Sequence, residues 1–446
     1  MGAWLCYDGN MHSDLAQFEQ FVSSFFNIDT KEVTDTEIFS QAIDELTYDS
    51  QFAPFEIAEK AHKVIYELAK LGGCPSSSIR KYYEAIRDGE TKVFTTPAIN
   101  QRVITYDIAR LLFRLMQKYQ IGAVVFEISH SESGYTEQTY QQFSSAILGA
   151  ALKEQFQGPV FLQADHTQVN EEKFSADYLH ELNDLKDLIR QALSAHLYNI
   201  DIDASTLVDY SKPTVAEQQK DNIVVTSELL NTVRMHEPAD ISVSVGGEVG
   251  HIGDTNTNAE EVQVFLAGVN AKSTKDGIQK LSIQTGTTHG GNIDESGKTL
   301  PMPVDFELIK NLGELSRNEF ALCGVVQHGA STLPLEDFSK FPQNNTLEIH
   351  LATGIQNVVF DHLPQELKRE MLAWVETSVE KDPQQTLDQH LYRNRKKSLG
   401  QFKKQLWDMS DEQKSVVLKG LTTYFEELFT RLGIFNTSDV IHSLYA

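Results

Sequence analysis

The segment VFLQADHTQ, residues 160–168, is the part of the chain that most directly indicates a fold. Its first residues are apolar and a polar stretch ends the run, which predicts a buried strand. Asp165 and His166 are therefore expected at or just past the C-terminal end of that strand. When eight strands close into a (β/α)8 barrel, strand ends of this kind carry the catalytic residues.

Two further strands are predicted to end at a histidine. LSIQTGTTHGG places His289 after an apolar run, and CGVVQHGAS does the same for His328. Three imidazoles that converge on one face of a barrel suit a zinc ion with one position open for substrate. The alternative is three buried histidines that bind no metal. Because buried histidines are less common than buried aliphatic residues, the metal interpretation is preferred.

The order of strands and helices predicts the rest of the architecture. From residue 92 onward, short apolar strands alternate with amphipathic helices. Alternation at this spacing indicates parallel strands with right-handed crossovers, and eight repeats favour a closed TIM barrel over an open sheet. The predicted helices between strands are 104–119, 138–155, 171–195, 214–235, 258–269 and 305–316. The predicted domains are a helical N-terminal extension at 1–88, the barrel at 89–361 and a helical C-terminal extension at 362–446.

The composition excludes several classes of partner. With 38 basic and 63 acidic side chains, the 446-residue chain has a formal net charge of −25. This charge argues against nucleic acid and anionic membranes, because both favour clustered lysine and arginine. No apolar run approaches the about 20 residues of a membrane span, and the N-terminus lacks the shape of a signal peptide. Three scattered cysteines indicate a reducing compartment, so a cytoplasmic location is predicted.

Carboxylates accompany the histidines. Adjacent side chains on a strand point in different directions, so His166 can bind a metal while Asp165 acts as a general acid or base. Asp203 in NIDIDAS and Glu248 in VGGEVG end two further predicted strands. They could bind a second cation or orient a metal-bound histidine, and a buried polar network is an equally good interpretation. Asp201 lies one layer deeper and is left outside the site.

The residues that follow two of the histidines are suited to an anion. Gly290 and Gly329 allow close approach of the backbone, whose N–H groups can hold a phosphate. The positions assigned to a phosphate or to sugar hydroxyls are Gly290, Gly329, Ser331, Thr332 and Thr353. His130 and His251 are predicted to be ordinary loop residues.

Five motifs together resemble one enzyme family. ADH, GGEVGHIG, TGTTHGG, VVQHGAS and EIHLATG resemble, over about residues 80–400, the class II fructose-bisphosphate and tagatose-bisphosphate aldolases. The resemblance implies a zinc ion bound by His166, His289 and His328. The ion would polarise a carbonyl and stabilise an enediolate during reversible aldol cleavage. Asp165 would exchange a proton with the C4 oxygen.

The same resemblance concerns a second cation. Asp203 and Glu248 match family positions that can hold a structural metal, and a monovalent cation is also compatible with the site. The substrate implied is a ketose phosphate or bisphosphate similar to those of fructose or tagatose.

The chain departs from the family pattern near the substrate. Family members usually have a lysine after the THG histidine, where this chain has GGNID. Their last strand usually reads KINVATD, whereas EIHLATG places His350 at the asparagine and Gly354 at the aspartate. Ala330 and Thr332 replace glycines of the family's HGGSG. His350 is therefore predicted to donate a hydrogen bond, to transfer a proton in catalysis, or to be a further metal ligand.

The predicted function is that of a class II aldolase-like lyase of glycolysis or related carbohydrate metabolism. Two alternatives stay open: an accessory subunit of a tagatose-bisphosphate aldolase, and a barrel enzyme of another class such as an epimerase or hydrolase. No nucleotide-binding signature is present in the sequence. A homodimer or homotetramer is expected. The resemblance also implies a basic residue that reaches the phosphate in a neighbouring subunit; Arg393 and Arg395 are candidates, but a solvated charge run is the preferred interpretation of this segment.

Overall fold

Eight parallel strands close into a barrel in the computed structural model, which describes residues 11–91, 94–250, 255–286, 294–296, 300 and 303–446. Each barrel strand pairs with the next along the chain, and the eighth pairs with the first. The strands are β1 (Thr96–Asn100), β2 (Val125–Ser129), β3 (Val160–Gln168), β4 (Asn199–Asp203), β5 (Ser244–Glu248), β6 (Lys280–Ser282), β7 (Gly324–Gln327) and β8 (Glu348–Leu351). The predicted (β/α)8 barrel is confirmed.

Helices connect the strands and cover the outside of the barrel. They are Thr105–Tyr119, His130–Tyr135, Tyr140–Lys153, Glu171–Ala176, Tyr178–Ser194, Val215–Gln218, Lys220–His236, Ala259–Lys272, Phe306–Phe320, Lys340–Gln343 and, after β8, Thr353–His362. Short 3-10 helices lie at Ser205–Leu207, Ala330–Thr332, Leu335–Ser339 and Arg395–Lys397. Each helix predicted between strands is present, although breaks at Asp177 and Gln219 divide two of them.

Both terminal extensions are helical. The N-terminal helices are Leu15–Ser23, Thr36–Phe52, Phe55–Leu71 and Arg80–Arg87, and the C-terminal ones are Gln365–Ser378, Leu387–Asn394, Ser398–Gln401, Lys403–Trp407, Asp411–Leu432 and Ser438–Tyr445. Short strands at Phe26–Asn27 and Glu32–Val33 pair with each other, and Ser76–Ser77 pairs with the start of β3. Phe18, Ile99 and Phe425 belong to one continuous hydrophobic core. The domain boundaries at 88 and 361 stay predictions.

A glycine explains how closely the N-terminal extension approaches the barrel. Gly149 lies in helix Tyr140–Lys153, and a Cβ atom there would stand 2.2 Å from Thr47 Oγ1 of helix Thr36–Phe52. Glycine has no Cβ, so it permits this approach. No helix in the described part of the chain combines the length and the apolar character that crossing a membrane requires.

The interior of the barrel holds a lysine among carboxylates. Lys280 is completely buried, and its ammonium donates hydrogen bonds to Gln163 Oε1 (2.8 Å) and Asp201 Oδ2 (3.0 Å). It also forms an ion pair with Glu348, which accepts a hydrogen bond from Tyr83. Burial disfavours the charge of Lys280, but Asp201 and Glu348 outweigh burial and raise the pKa of the lysine. This ionic layer lies beneath the strand ends.

Replacing Lys280 with methionine is expected to destabilise the fold strongly. Methionine is similar in length but leaves Asp201 and Glu348 without their cation, and breaking a buried ion pair in this way costs about 3–5 kcal/mol. Chemical denaturation measures the loss. As a control, the exposed Lys310 replaced by methionine should change the free energy of unfolding by less than about 0.5 kcal/mol. Equal stability of the two variants would contradict the ionic role of Lys280.

Candidate metal centre

A bulge in β3 presents Asp165 and His166 to the barrel mouth. The register between β3 and β4 shifts between Ala164 and Thr167, so Asp165 and His166 together oppose a single residue of β4. His166 has a φ of 42°, in the left-handed region. A bulge re-aims the side chains of a strand. Both side chains reach the same cluster, with His166 Nε2 3.9 Å from Asp165 Oδ2, which corrects the expected divergence of adjacent residues.

The structure brings His166 and His328 together, with their ring centroids 4.5 Å apart. His166 Nδ1 lies 3.2 Å from Asp203 Oδ2 and 3.7 Å from Glu248 Oε2. His328 Nε2 lies 2.8 Å from Ser282 Oγ. An imidazole held through one nitrogen is fixed in orientation and can offer its other nitrogen to a metal.

Three of the residues predicted from the sequence cannot be placed. His289, Gly290 and His251 lie outside the described residues. Their assignments stay predictions.

The carboxylates beside His166 create a site that attracts a cation. Burial would lower the pKa of His166, but Asp165, Asp203 and Glu248 raise it well above its usual value. Burial would raise the pKa of Asp203, but the hydrogen bond and charge of His166 help to lower it to about 2. Burial and the neighbouring Asp203 raise the pKa of Glu248. Positive charge is therefore favoured at this point of the barrel mouth.

The donor atoms fit a divalent cation. One donor atom from each of Asp165, His166 and His328 lies within 4.8 Å of the other two, and the same holds for His166, Asp203 and Glu248. Imidazole nitrogens and carboxylate oxygens are ligands of zinc and related transition metals. The group with His328 could bind a catalytic ion. The group with Asp203 and Glu248 could orient His166 or bind another ion.

His350, in β8, belongs to the same cluster. Its ring centroid lies 4.0 Å from that of His328. His350 Nε2 lies 2.7 Å from Glu348 Oε1, and its Nδ1 lies 3.0 Å from Glu127 Oε2 and 3.2 Å from Asp165 Oδ1. Burial would lower the pKa of His350, but Glu127 and Asp165 raise it well above its usual value. Burial and the charge of Asp165 raise the pKa of Glu127 to about 7.

Glu127, Lys280 and Glu348 are functional-site neighbours that the sequence analysis does not identify. Each lies in a short apolar strand, in VVFEIS, KLSIQ and TLEIHL respectively. A charged residue in such a strand is the signal that could identify them, because alternate residues of a barrel strand face the interior.

The proposed anion-binding positions that the structure describes lie on two neighbouring segments. Gly329 has a φ of 69° and precedes the 3-10 helix Ala330–Thr332, where the freedom of glycine is needed. Ser331 lies in that 3-10 helix, and Thr353 begins the helix after β8. The Ser331 carbonyl packs against Gly354. The role of these positions in binding phosphate stays a prediction.

Replacing Gly354 with alanine is expected to disturb this contact. A Cβ atom at Gly354 would stand 2.2 Å from the Ser331 carbonyl oxygen and 2.9 Å from Tyr424 Oη. The close approach of the Ser331 carbonyl explains why position 354 holds a glycine where the family has an aspartate. We expect a loss of about 1–3 kcal/mol of stability in denaturation experiments.

Gly134→Ala is the matched control, because no atom lies within 4 Å of the added Cβ. It should be neutral or stabilising, by up to about 1 kcal/mol. Equal effects at Gly354 and Gly134 would show that the close approach is absent.

A cleft of about 720 Å³ opens beside His166. Residues after β3 and helix Tyr178–Ser194 form its wall, and His130, the first residue of a short helix, also lines it. Its described charged side chains are acidic except for Lys173 and the histidines. The cleft is large enough for a small molecule to reach the candidate metal ligands.

Arg395 is packed within its own chain. Its guanidinium lies 4.4 Å from the ring centroid of Tyr392 and 4.8 Å from that of Phe360, and it donates a hydrogen bond to Asn357. It is therefore not part of a solvated charge run, whereas Arg393 is exposed. Contact of either arginine with a neighbouring subunit's phosphate stays a prediction.

The family of the chain follows from comparison with known proteins. A family model described as fructose-bisphosphate aldolase class-II matches residues 80–408. The chain belongs to the class II fructose-bisphosphate aldolase family. No curated protein matches it.

Solved structures share the fold at low sequence identity. A probable tagatose 6 phosphate kinase from Sinorhizobium meliloti 1021 is 12% identical, with a TM-score of 0.54 over 76% of this chain and 100% of that chain. A fructuronate-tagaturonate epimerase from Cohnella laeviribosi is 12% identical, with a TM-score of 0.53 over 86% of each chain. A fructose-bisphosphate aldolase from Campylobacter jejuni is 17% identical, with a TM-score of 0.47 over 83% of this chain and 95% of that chain. At these identities the likeness to the kinase and the epimerase concerns the fold alone.

Proposed function

We propose that the protein is a metal-dependent lyase that reversibly cleaves a carbon–carbon bond in a ketose phosphate or bisphosphate similar to those of fructose or tagatose. The observation that carries this proposal is the pairing of His166 and His328 beside Asp165 at the ends of barrel strands. Membership of the class II aldolase family supports the same reaction class.

The proposed ion is Zn²⁺, and its proposed ligands are His166, His328 and His289. When bound, zinc acts as a Lewis acid that polarises a carbonyl and stabilises developing enediolate charge. Asp203 orients His166 through Nδ1, and Ser282 orients His328 through Nε2. The contribution of the chain is a fixed geometry of imidazoles, which limits reorganisation during the reaction.

Asp165 is proposed to carry the proton. Burial would raise the pKa of Asp165, but His166 and His350 lower it well below its usual value. An ionised carboxylate can accept the proton of the C4 hydroxyl in cleavage and return it in addition. His350 is proposed to take part by positioning this carboxylate, because its Nδ1 lies 3.2 Å from Asp165 Oδ1.

The remaining assignments are proposals of the same kind. A substrate phosphate would lie near Gly290, Gly329, Ser331, Thr332 and Thr353. Glu248 and Asp203 would support His166 or hold a further structural or monovalent cation. A homodimer or homotetramer and a cytoplasmic location complete the proposal.

Product analysis tests the reaction class. The purified protein is incubated with fructose and tagatose 1,6-bisphosphates and the products are identified by NMR. Triose phosphates that stop forming on chelation and form again with zinc are the expected result. An epimerised product without cleavage would assign an epimerase instead. Turnover only after addition of a separate aldolase would assign an accessory subunit.

A further inference from the structure

We propose that Glu127, Asp165 and His350 bind a second divalent cation beside the one assigned to His166 and His328. The first observation is the convergence of three donor atoms. His350 Nδ1 lies 3.0 Å from Glu127 Oε2 and 3.2 Å from Asp165 Oδ1, and one donor atom of each residue lies within 4.8 Å of the others. Ligands about 2.1 Å from a tetrahedral ion stand about 3.4 Å apart, so these separations suit a shared ion.

The second observation concerns buried polar atoms. Asp165 Oδ1 and His350 Nδ1 form an ion pair at 3.2 Å, but neither atom has a hydrogen bond of good geometry with any residue in the described part of the chain. Both residues are only 5% exposed. Buried polar atoms nearly always have a partner, and leaving one without a partner is costly. A cation between the two atoms would serve as the partner of both.

The other nitrogen of His350 is arranged as in metal-bound histidines. His350 Nε2 lies 2.7 Å from Glu348 Oε1, so its N–H can donate there and leave the Nδ1 lone pair for a metal. Lys280 forms an ion pair with Glu348. Gln163 Nε2 donates to Glu127 Oε2 at 3.0 Å and fixes that carboxylate. The residues around the donor atoms therefore hold them in place.

The distribution of charge favours a cation beside Glu127 and Asp165 over one beside Asp201 and Glu348. Six buried carboxylates lie within 4 Å of a ring nitrogen of His166 or His350, and they are Glu127, Asp165, Asp201, Asp203, Glu248 and Glu348. Among the described lysines and arginines, Lys280 alone forms an ion pair with any of them, and its partners are Asp201 and Glu348. With one divalent ion at His166 and His328, Glu127 and Asp165 face His350 and form no ion pair with a lysine or arginine of the described residues. A divalent ion at Glu127 and Asp165 would supply these two carboxylates with a cation that no lysine supplies.

Asp165 would then bind the second ion through Oδ1 alone and would lie beside the first. Its Oδ1 faces His350, while its Oδ2 lies 3.9 Å from His166 Nε2. Paired ions in enzymes stand about 3.5–4 Å apart. Oδ2 remains the oxygen that would exchange a proton. The second ion is an inference separate from the proposed reaction. Its binding is measured without turnover, so either proposal can fail without the other.

Cobalt titration of the full-length, metal-free protein tests the second site. Visible absorbance follows the titration, and elemental analysis after gel filtration counts the bound ions. Wild type is expected to bind two equivalents, and His350→Asn and Glu127→Gln one each. His390→Asn replaces a buried histidine outside the cluster, so it should retain two. Magnetic coupling between neighbouring cobalt ions should be present in wild type and absent in His350→Asn.

The result that overturns the second site is one equivalent in wild type, or two equivalents in both His350→Asn and Glu127→Gln. Thermal unfolding shows which variants fold. If His350→Asn does not fold, the metal content of Glu127→Gln tests the second site instead. His166→Ala should retain one equivalent, at the second site. No binding in wild type would contradict both metal proposals, whereas one equivalent in wild type and none in His166→Ala would contradict only the second ion.

Discussion

Replacing His166 with alanine is expected to remove the histidine-bound ion and to lower lyase turnover at least about 10³-fold. The ion would supply several kcal/mol of transition-state stabilisation, and a factor of 10³ corresponds to about 4 kcal/mol. His166 is the imidazole that Asp203 orients and that lies beside His328, so its loss removes the centre of the ligand set. Elemental analysis and initial rates on one preparation measure both effects.

His180→Ala is the matched control for this change. The His180 side chain is 72% exposed on helix Tyr178–Ser194, so metal content and turnover should be unchanged. Thermal unfolding of His166→Ala establishes that the barrel persists. Wild-type turnover in a folded His166→Ala variant would refute the assignment of His166 as a ligand.

Replacing Asp165 with asparagine is expected to separate metal binding from proton transfer. Asparagine has nearly the same shape but cannot carry the proton, and loss of a general acid or base costs about 10²–10⁴-fold in rate. The ion at His166 and His328 should remain, because both imidazoles are intact. The expected result is at least about one zinc per chain with a strongly reduced kcat.

Asp29→Asn provides the control, since Asp29 is exposed in the N-terminal extension. It should leave kcat and metal content unchanged. If Asp165→Asn turned over at the wild-type rate, the proton-transfer role would have to belong to another residue. If it lost all bound metal, Asp165 would be a ligand of the histidine-bound ion as well.

The barrel could be predicted because its signal is repeated along the chain. Each apolar run of four to eight residues is followed by an amphipathic helix, and this pattern depends on local sequence. Helix ends and the breaks at Asp177 and Gln219 are harder to predict, because they depend on individual capping contacts.

The candidate site is predictable where residues mark the ends of strands. His166, His328, Asp203 and Glu248 follow apolar runs, and the structure places them together. The bulge at Asp165 is not visible in the sequence, because it arises from the register between β3 and β4. It is this shift that turns both side chains toward the cluster.

The contacts among the charged residues inside the barrel cannot be predicted from the sequence for a different reason. Glu127, Lys280 and Glu348 lie several strands apart in the chain and become a network only when the barrel closes. His350 is noticed as a departure from a family pattern, but its contacts with Glu127 and Asp165 depend on the same closure. Long-range pairing of this kind leaves no local signal.

The most direct test measures metal content and cleavage together. Protein purified without chelator is analysed for metal, and the same sample is assayed with fructose and tagatose 1,6-bisphosphates. At least about one zinc per chain with release of triose phosphate is the predicted result. Protein that holds no metal, or that holds zinc and cleaves neither bisphosphate, would contradict the proposed lyase.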